Sequence, residues 1–242
     1  MDIFDSWLVN TYIAHRGFHD KKNPENSMGA FENAIKKGFA IELDVHALKD
    51  NTIVVFHDES LKRMTNQDGY ISNLTKEDLP NYKLLATEFS IPTLEEVFAL
   101  VNGQVPILIE VKNTSKVGVL EQEILRLVNN YKGEVAIQAF NPLTLNFFYN
   151  NAPLIWRGQL SGSFEDADVS RIKKYLLKRM IFNKKISKPN FISYEAKMLP
   201  NRFVKKFNNL PLLAWCVKSQ TEYLNLAGKC DNIIFENFEP KI

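Results

Sequence analysis

Cysteine is scarce in this sequence. Cys216 and Cys230 are the only two in 242 residues, too few for a disulfide framework and without Cys-x-x-Cys spacing. A reducing compartment and packing in the core are therefore expected of both. Long apolar runs are also missing: stretches such as Leu210 to Val217 are strand-length, far short of the roughly 20 residues that a membrane span requires. The opening Met1-Asp2-Ile3-Phe4-Asp5 is acidic and lacks the apolar centre of a secretion signal, so a soluble, cytoplasmic protein with no integral membrane segment is expected. No Gly/Ser/Pro-rich linker interrupts the chain, and residues 1–242 read as a single domain. Excess charge is absent too, with 30 Lys/Arg against 28 Asp/Glu, which argues against a dedicated nucleic-acid binder. The strings Gly-x-Gly-x-x-Gly, Gly-Lys-Ser/Thr, His-Glu-x-x-His and Gly-x-Ser-x-Gly do not occur, leaving nucleotide-loop, zincin and serine-elbow chemistry without support.

What is present is alternation. A hydrophobic content of 45% can fill a sizeable core, and it is arranged as strand-length runs separated by helical patterns. The predicted strands are Tyr12–His15, Ala40–His46, Ile53–His57, Pro106–Val111, Glu134–Phe140, Leu154–Leu160, Phe191–Glu195, Leu212–Val217 and Asn232–Glu236. Thr93-Leu94-Glu95-Glu96 is a capping box opening a helix that buries Leu94, Val97, Phe98 and Val101, and Gly103 ends it. Ser219 to Glu222 is a second box, closed by Gly228, and Asn141-Pro142 is a cap with proline at the first helical position. Asp168 is placed to cap a helix burying Val169, Ile172, Leu176 and Met180.

One junction breaks the pattern. Too few residues separate Ala40–His46 from Ile53–His57 for a crossover helix, so the two form an antiparallel hairpin. Taking Asp50-Asn51 as a two-residue turn sets Asp44 opposite His57. Apart from that return strand, eight strands remain, the complement of a (β/α)₈ TIM barrel. A doubly wound sheet would need the same alternation; the barrel is preferred because polar residues sit at the ends of strands spread along the chain.

Those residues suggest a chemistry. Glu42, Asp44 and His46 share one face of a strand, while Ile41, Leu43 and Val45 share the other. Glu110 and Lys112 end a second strand in the same way. Three carboxylates from two strands suit a hard cation, Mg²⁺ or Ca²⁺; a lone Glu42-x-Asp44 would read as the solvated side of an edge strand, but the hairpin that sets His57 beside Asp44 shifts the reading towards a site. His15-Arg16-Gly17 and His57-Asp58 close two further strands, and two histidines near acids suit acid–base work. Arg16 and Lys112 supply cations for a phosphate. The combination describes phosphoester chemistry.

On these residues the sequence resembles the glycerophosphodiester phosphodiesterases, metal-dependent (β/α)₈-barrel enzymes. The matching stretches are Ile13 to Gly17, Asn23 to Ser27, Glu42 to Val45, Lys49-Asp50, Val54 to Asp58, Ile91 to Glu96 and Ile109 to Lys112, in order and with family-like spacing. Beyond residue 112 the likeness rests on the alternation, Gln138-Ala139-Phe140, Trp215-Cys216-Val217 and the last strand. The resemblance implies His15 as initial base and His57 as initial acid, with Glu42, Asp44 and Glu110 as ligands of one divalent cation. It implies Arg16 and Lys112 as phosphate contacts, with Asn26 and Trp215 shaping the pocket. Ser27, Asn51 and Lys218 depart from the family pattern, and Lys218 bears on the alcohol group accepted. His19 and His46 match no family position and read as ordinary polar residues. The implied reaction is hydrolysis of a small-molecule glycerophosphodiester to glycerol 3-phosphate and an alcohol. The alternatives are a lysophospholipase D-like or other phosphodiesterase on the same barrel, and a non-catalytic phosphodiester-binding barrel.

Charge is divided unevenly. Residues 1–121 carry 12 Lys/Arg and 18 Asp/Glu, whereas residues 122–242 carry 18 and 10. Between 171 and 188 there are eight Lys/Arg and no acid. That run reads as a solvated outer helix and loop, with a weak anionic-surface contact as the second reading.

Overall fold

The structure is a computed structural model and describes residues 2–113, 116–164, 170–180 and 183–241. Its strands are β1 (Ile13–Ala14), β2 (Ala40–Ala47), β3 (Ile53–Val55), β4 (Ile107–Val111), β5 (Val135–Ala139), β6 (Trp156–Ser161), β7 (Phe191–Glu195), β8 (Leu212–Val217) and β9 (Asn232–Phe235). The helices are α1 (Trp7–Asn10), α2 (Met28–Lys37), α3 (Lys62–Thr65), α4 (Leu94–Val101), α5 (Val119–Asn130), α6 (Pro142–Asn151), α7 (Arg171–Lys178), α8 (Asn183–Ile186) and α9 (Gln220–Asn225). Every expected strand is found within two residues of its expected ends. With β3 set aside as the hairpin return, the parallel strands and their helices have the fold class of a (β/α)₈ barrel. No helix of the described residues is long and apolar enough to cross a membrane.

The chain divides into two compact units, residues 14–135 and residues 1–13 with 136–242. In the first, β2 is paired on both sides, parallel to β4 and antiparallel to β3. Both of its faces are buried, so Ile41, Leu43 and Val45 meet an apolar layer while Glu42 and Asp44 turn the other way. Thr93 caps α4 in the expected box, its hydroxyl accepting from the Glu96 N–H and the Glu96 carboxylate accepting from the Thr93 N–H. Ser27 caps α2, which ends at Gly38 in the left-handed region. The residues between β3 and α4 build a small core of their own from Phe56, Leu61, Met64, Ile71, Leu79 and Ile91.

In the second unit β5 to β9 run parallel in chain order. Gly158 of β6 lies under the Phe191 ring, where a Cβ would come within 2.1 Å of the ring carbons. Asn141 and Pro142 start α6 as expected. Ser219 caps α9, but the Glu222 carboxylate accepts from the Lys218 N–H, so only half of the expected box forms.

Three expectations are corrected. The hairpin register is one residue from that read off the turn: Val45 faces Val55, and Phe56 donates to the Asp44 carbonyl, so Asp44 opposes Phe56 rather than His57. The cause is a three-residue loop, Lys49-Asp50-Asn51, with Asn51 at φ 67°. The Asp50 carboxylate ties that loop to the Thr52 and Lys76 N–H groups. Second, Ile172 and Leu176 are exposed, and only Met180 of the expected apolar stripe is buried; Asp168 and Val169 lie outside the described residues. Third, Cys216 and Cys230 are half-buried cysteines outside any disulfide rather than core residues.

The hairpin loop yields a stability test. Asn51→Gly should leave thermal stability unchanged or slightly raised. Asn51→Val, which forces a β-branched side chain into the left-handed region, should cost about 1–2 kcal/mol in urea unfolding. Equal stability of the two variants would contradict the loop geometry.

Candidate active site

The register of β2 on β4 sets Asp44 beside Glu110, with Glu42 two residues earlier on the same face. All three carboxylates are buried, and one oxygen from each lies within 4.8 Å of the others. Negative charge of this density inside a protein needs cations, and two reach it. Lys112 Nζ is 2.9 Å from Asp44 Oδ1 and 2.5 Å from Glu110 Oε1. Arg16 Nε is 3.3 Å from Asp44 Oδ2, and the Arg16 backbone N–H donates to Glu42 Oε2 at 3.0 Å.

The chain bends sharply to make these contacts. Arg16 and Asn26 both have positive φ, 55° and 56°, and the Asn26 N–H closes the loop by donating to the Arg16 carbonyl. Asn26 Nδ2 then donates to Asp44 Oδ2 at 2.9 Å. Gly17, at φ 79°, passes so close to α2 that a Cβ would sit 2.9 Å from Ala30, which explains a glycine directly after His15-Arg16.

Protonation follows from this crowding. Burial raises the Glu42 pKa well above the usual carboxylate range, and Asp44 and Glu110 push it further. Burial also raises Glu110, against the pull of Lys112. Asp44 goes the other way: burial would raise it, but Lys112, His57, Arg16 and His15 hold it far below the ordinary value. Lys112 keeps its proton more tightly than a free lysine because Asp44 and Glu110 outweigh its burial.

His57 follows the hairpin and is held at both ends. Its carbonyl contacts His46 Nε2 at 3.1 Å, which gives His46 a structural task. Its Nδ1 is 2.6 Å from Asp58 Oδ1, leaving Nε2 as the ring nitrogen able to exchange a proton. Burial, helped by Lys112 and Arg16 and opposed by Asp44, lowers the His57 pKa to about 4, so the ring is neutral at pH 7. His15 directly follows β1, is half-buried, and lies near enough for its charge to act on Asp44.

Three residues outside the sequence expectation complete this group. Arg63 of α3 donates through Nε and Nη2 to Asp58, at 2.6 and 3.0 Å, and through Nη1 and Nη2 to Glu25, at 2.9 and 2.7 Å. Glu25 also accepts from Arg16 Nη1 at 2.6 Å. A chain of charge-assisted hydrogen bonds thus runs from His57 through Asp58, Arg63 and Glu25 to Arg16. Its signals in the sequence were Asp58 directly following His57 and Glu25 within the stretch Asn23 to Ser27; Arg63 had none. Trp215 lies in the other unit, edge-on to Phe140 with centroids 5.8 Å apart, and Phe140 stands in the same relation to Phe164. Lys218 there pairs with Glu236 at 2.8 Å.

The chain is similar to known proteins over most of its length. A sequence profile described as the glycerophosphoryl diester phosphodiesterase family matches residues 15–239. The glycerophosphodiester phosphodiesterase of Caldanaerobacter subterraneus is 34% identical over 187 residues, which span 71% of this chain and 76% of that one. The lysophospholipase D GDPD1 of Rattus norvegicus is 37% identical over 140 residues, 52% of this chain and 43% of the rat protein. A phosphodiesterase of Oleispira antarctica, solved with its product sn-glycerol-3-phosphate, shares the fold with a TM-score of 0.76 at 20% identity, over 95% of this chain and 93% of that one.

The Arg63 network should be visible in acid stability. Arg63 and then His57 outweigh the burial of Asp58 and hold its pKa at about 2. A folded-state pKa below the unfolded one gives stability that is complete above about pH 4 and is lost as pH falls towards 2. Arg63→Met should therefore cost on the order of 1 kcal/mol at pH 7, the groups being partly solvated. The gap between variant and parent should shrink between pH 4 and pH 2 in urea unfolding. A gap that stays constant over that range would contradict the assignment.

Proposed function

The chain belongs to the glycerophosphoryl diester phosphodiesterase family, and from that premise we propose how its residues divide the hydrolysis of a glycerophosphodiester to glycerol 3-phosphate and an alcohol. The observation that carries the reading is the buried carboxylate triad, with Lys112 and Arg16 on its oxygens and His57 nearby.

The donor set fits a hard divalent cation. Three carboxylates offer oxygens within 4.8 Å of one another, and Asn26 Oδ1 beside them is buried without a hydrogen-bond partner. Glu42, Asp44 and Glu110 would hold one Mg²⁺ or Ca²⁺. When bound, it neutralises charge on the phosphate and makes an adjoining hydroxyl more acidic.

The remaining steps belong to side chains. Arg16 and Lys112 bind the phosphate oxygens, the arginine held in place by Glu25. His15 takes the proton of the glycerol 2-hydroxyl as that oxygen attacks phosphorus. His57 Nε2 protonates the departing alcohol, and a cyclic phosphate forms. Water then opens the ring with the two histidines exchanging roles, so each serves once as base and once as acid. A His57 that is neutral at rest gains its proton as the anionic diester arrives beside it. Asn26 shapes the mouth of the site. For Trp215 the support is its sequence match and an indole N–H that is buried without an acceptor among the described residues. We place the reaction in the cytoplasm, in keeping with two cysteines that are not joined in a disulfide.

A substrate panel tests the proposal. Glycerophosphocholine, glycerophosphoethanolamine and lysophosphatidylcholine are assayed with Mg²⁺, Ca²⁺, Mn²⁺ and chelator. Cation-dependent release of glycerol 3-phosphate from the first two is expected, with turnover of the lysolipid lower. His15→Ala should lower kcat by about 10³-fold while changing cation affinity by no more than a few-fold. Full activity of that variant would remove His15 from the mechanism, and faster turnover of lysophosphatidylcholine would move the substrate to lysolipids.

A further inference from the structure

The helix α7 departs from its own sequence pattern. Its periodicity predicts an apolar stripe turned inward, yet of the described members of that stripe only Met180, just past the helix end, is buried, packed with Ile192, Tyr194 and Phe207. Ile172 is 75% exposed, Tyr175 44% and Leu176 36%. On a helix of 3.6 residues per turn these three share one arc, bordered by the exposed Arg171 and, one turn beyond Tyr175, Arg179. Arg179 lies over the Tyr175 ring, 5.0 Å from its centroid, and donates to the Tyr175 hydroxyl at 2.7 Å. The helix therefore presents an apolar centre with guanidinium groups at its margins.

The surroundings add positive charge. Lys185 and Lys188 follow, both exposed, and Lys206 Nζ contacts the Met180 carbonyl at 2.9 Å, where α7 ends. The sequence from 171 to 188 holds no Asp or Glu. Isolated exposed apolar side chains are ordinary. Three on one helical arc among cations with no counter-charge in that stretch are the pattern of a helix lying in a membrane interface.

We propose that the outward face of α7 docks on an anionic phospholipid surface. Ile172, Tyr175 and Leu176 enter the boundary between headgroups and acyl chains, while Arg171 and Arg179 extend along the surface to the lipid phosphates. Charge selects this occupant. A second copy of the chain meeting this face with the same face would set the same cations against one another, and a neutral apolar partner would leave them unmatched. With only two turns of helix, binding is reversible, dependent on anionic lipid and weakened by salt. The proposal is independent of the catalytic reading.

Vesicle sedimentation of the full chain tests it. The protein should pellet at low salt with vesicles of phosphatidylcholine and phosphatidylglycerol, stay in solution with phosphatidylcholine alone, and be released at high salt. Arg171→Gln and Arg179→Gln should each weaken binding about fivefold. The double variant Ile172→Ser, Leu176→Ser should abolish it while leaving turnover of a water-soluble diester unchanged. An Ile172→Trp variant should shift its fluorescence to the blue on adding the anionic vesicles. The proposal is overturned if the parent protein ignores anionic vesicles at low salt, or if the double serine variant binds them undiminished. It is overturned equally if the serine substitutions abolish a concentration-dependent dimer instead, which would make α7 a contact between copies.

Discussion

The structure around the candidate site depends on a concentration of buried negative charge. Glu42, Asp44 and Glu110 stand buried on two neighbouring parallel strands, and an uncompensated carboxylate in that position would cost several kcal/mol. The local backbone is arranged to meet that cost. Lys112 follows Glu110 by two residues on the same face and reaches both it and Asp44. The loop after β1 turns through two left-handed residues, Arg16 and Asn26, to bring a guanidinium and an amide onto Asp44. Gly17 is required because that loop lies directly on α2. Two cations against three carboxylates leave one negative charge over, and burial together with that crowding makes Glu42 and Glu110 hold protons more tightly than free carboxylates do. A site in that condition fits a divalent cation, whose binding would displace those protons.

Histidine placement is a second consequence of the same strands. The β2–β3 hairpin delivers His57 to the end of the carboxylate face, and Asp58 holds its Nδ1. Arg63 then joins Asp58 to Glu25, and Glu25 joins Arg63 to Arg16. The orientation of a proposed acid–base residue and that of a proposed phosphate ligand are thus set by one set of ion pairs. That set is anchored by the small apolar core under the segment after β3, in which Met64, the neighbour of Arg63, is buried. Preorganisation of this kind serves catalysis because the polar groups need not rearrange as charge develops.

Much of this was legible from residue order, for a definite reason. A two-residue period with carboxylates on one face and branched apolar residues on the other has few meanings, and Glu42, Asp44, Glu110 and Lys112 fall together as that pattern required. Where the reading failed, one local pattern had two physical outcomes. Asp50-Asn51 suits a two-residue turn, but a left-handed Asn51 closes a three-residue loop equally well, and the choice moved Asp44 from His57 to Phe56. The stripe of Ile172, Leu176 and Met180 has the same period whether it faces a core or a lipid surface, and two of the three face outward. The Arg63–Glu25 pair joins residues 38 positions apart, which no local pattern records.

The central claim is that the triad holds one divalent cation on which hydrolysis depends, and direct stoichiometry tests it most simply. Equilibrium dialysis of the parent protein and of an Asp44→Asn, Glu110→Gln variant against Mg²⁺, Ca²⁺ and Mn²⁺ should find one tightly bound ion per parent chain and none in the variant, with the variant still folded by circular dichroism. Equal binding by both proteins would place the ion elsewhere and contradict the account.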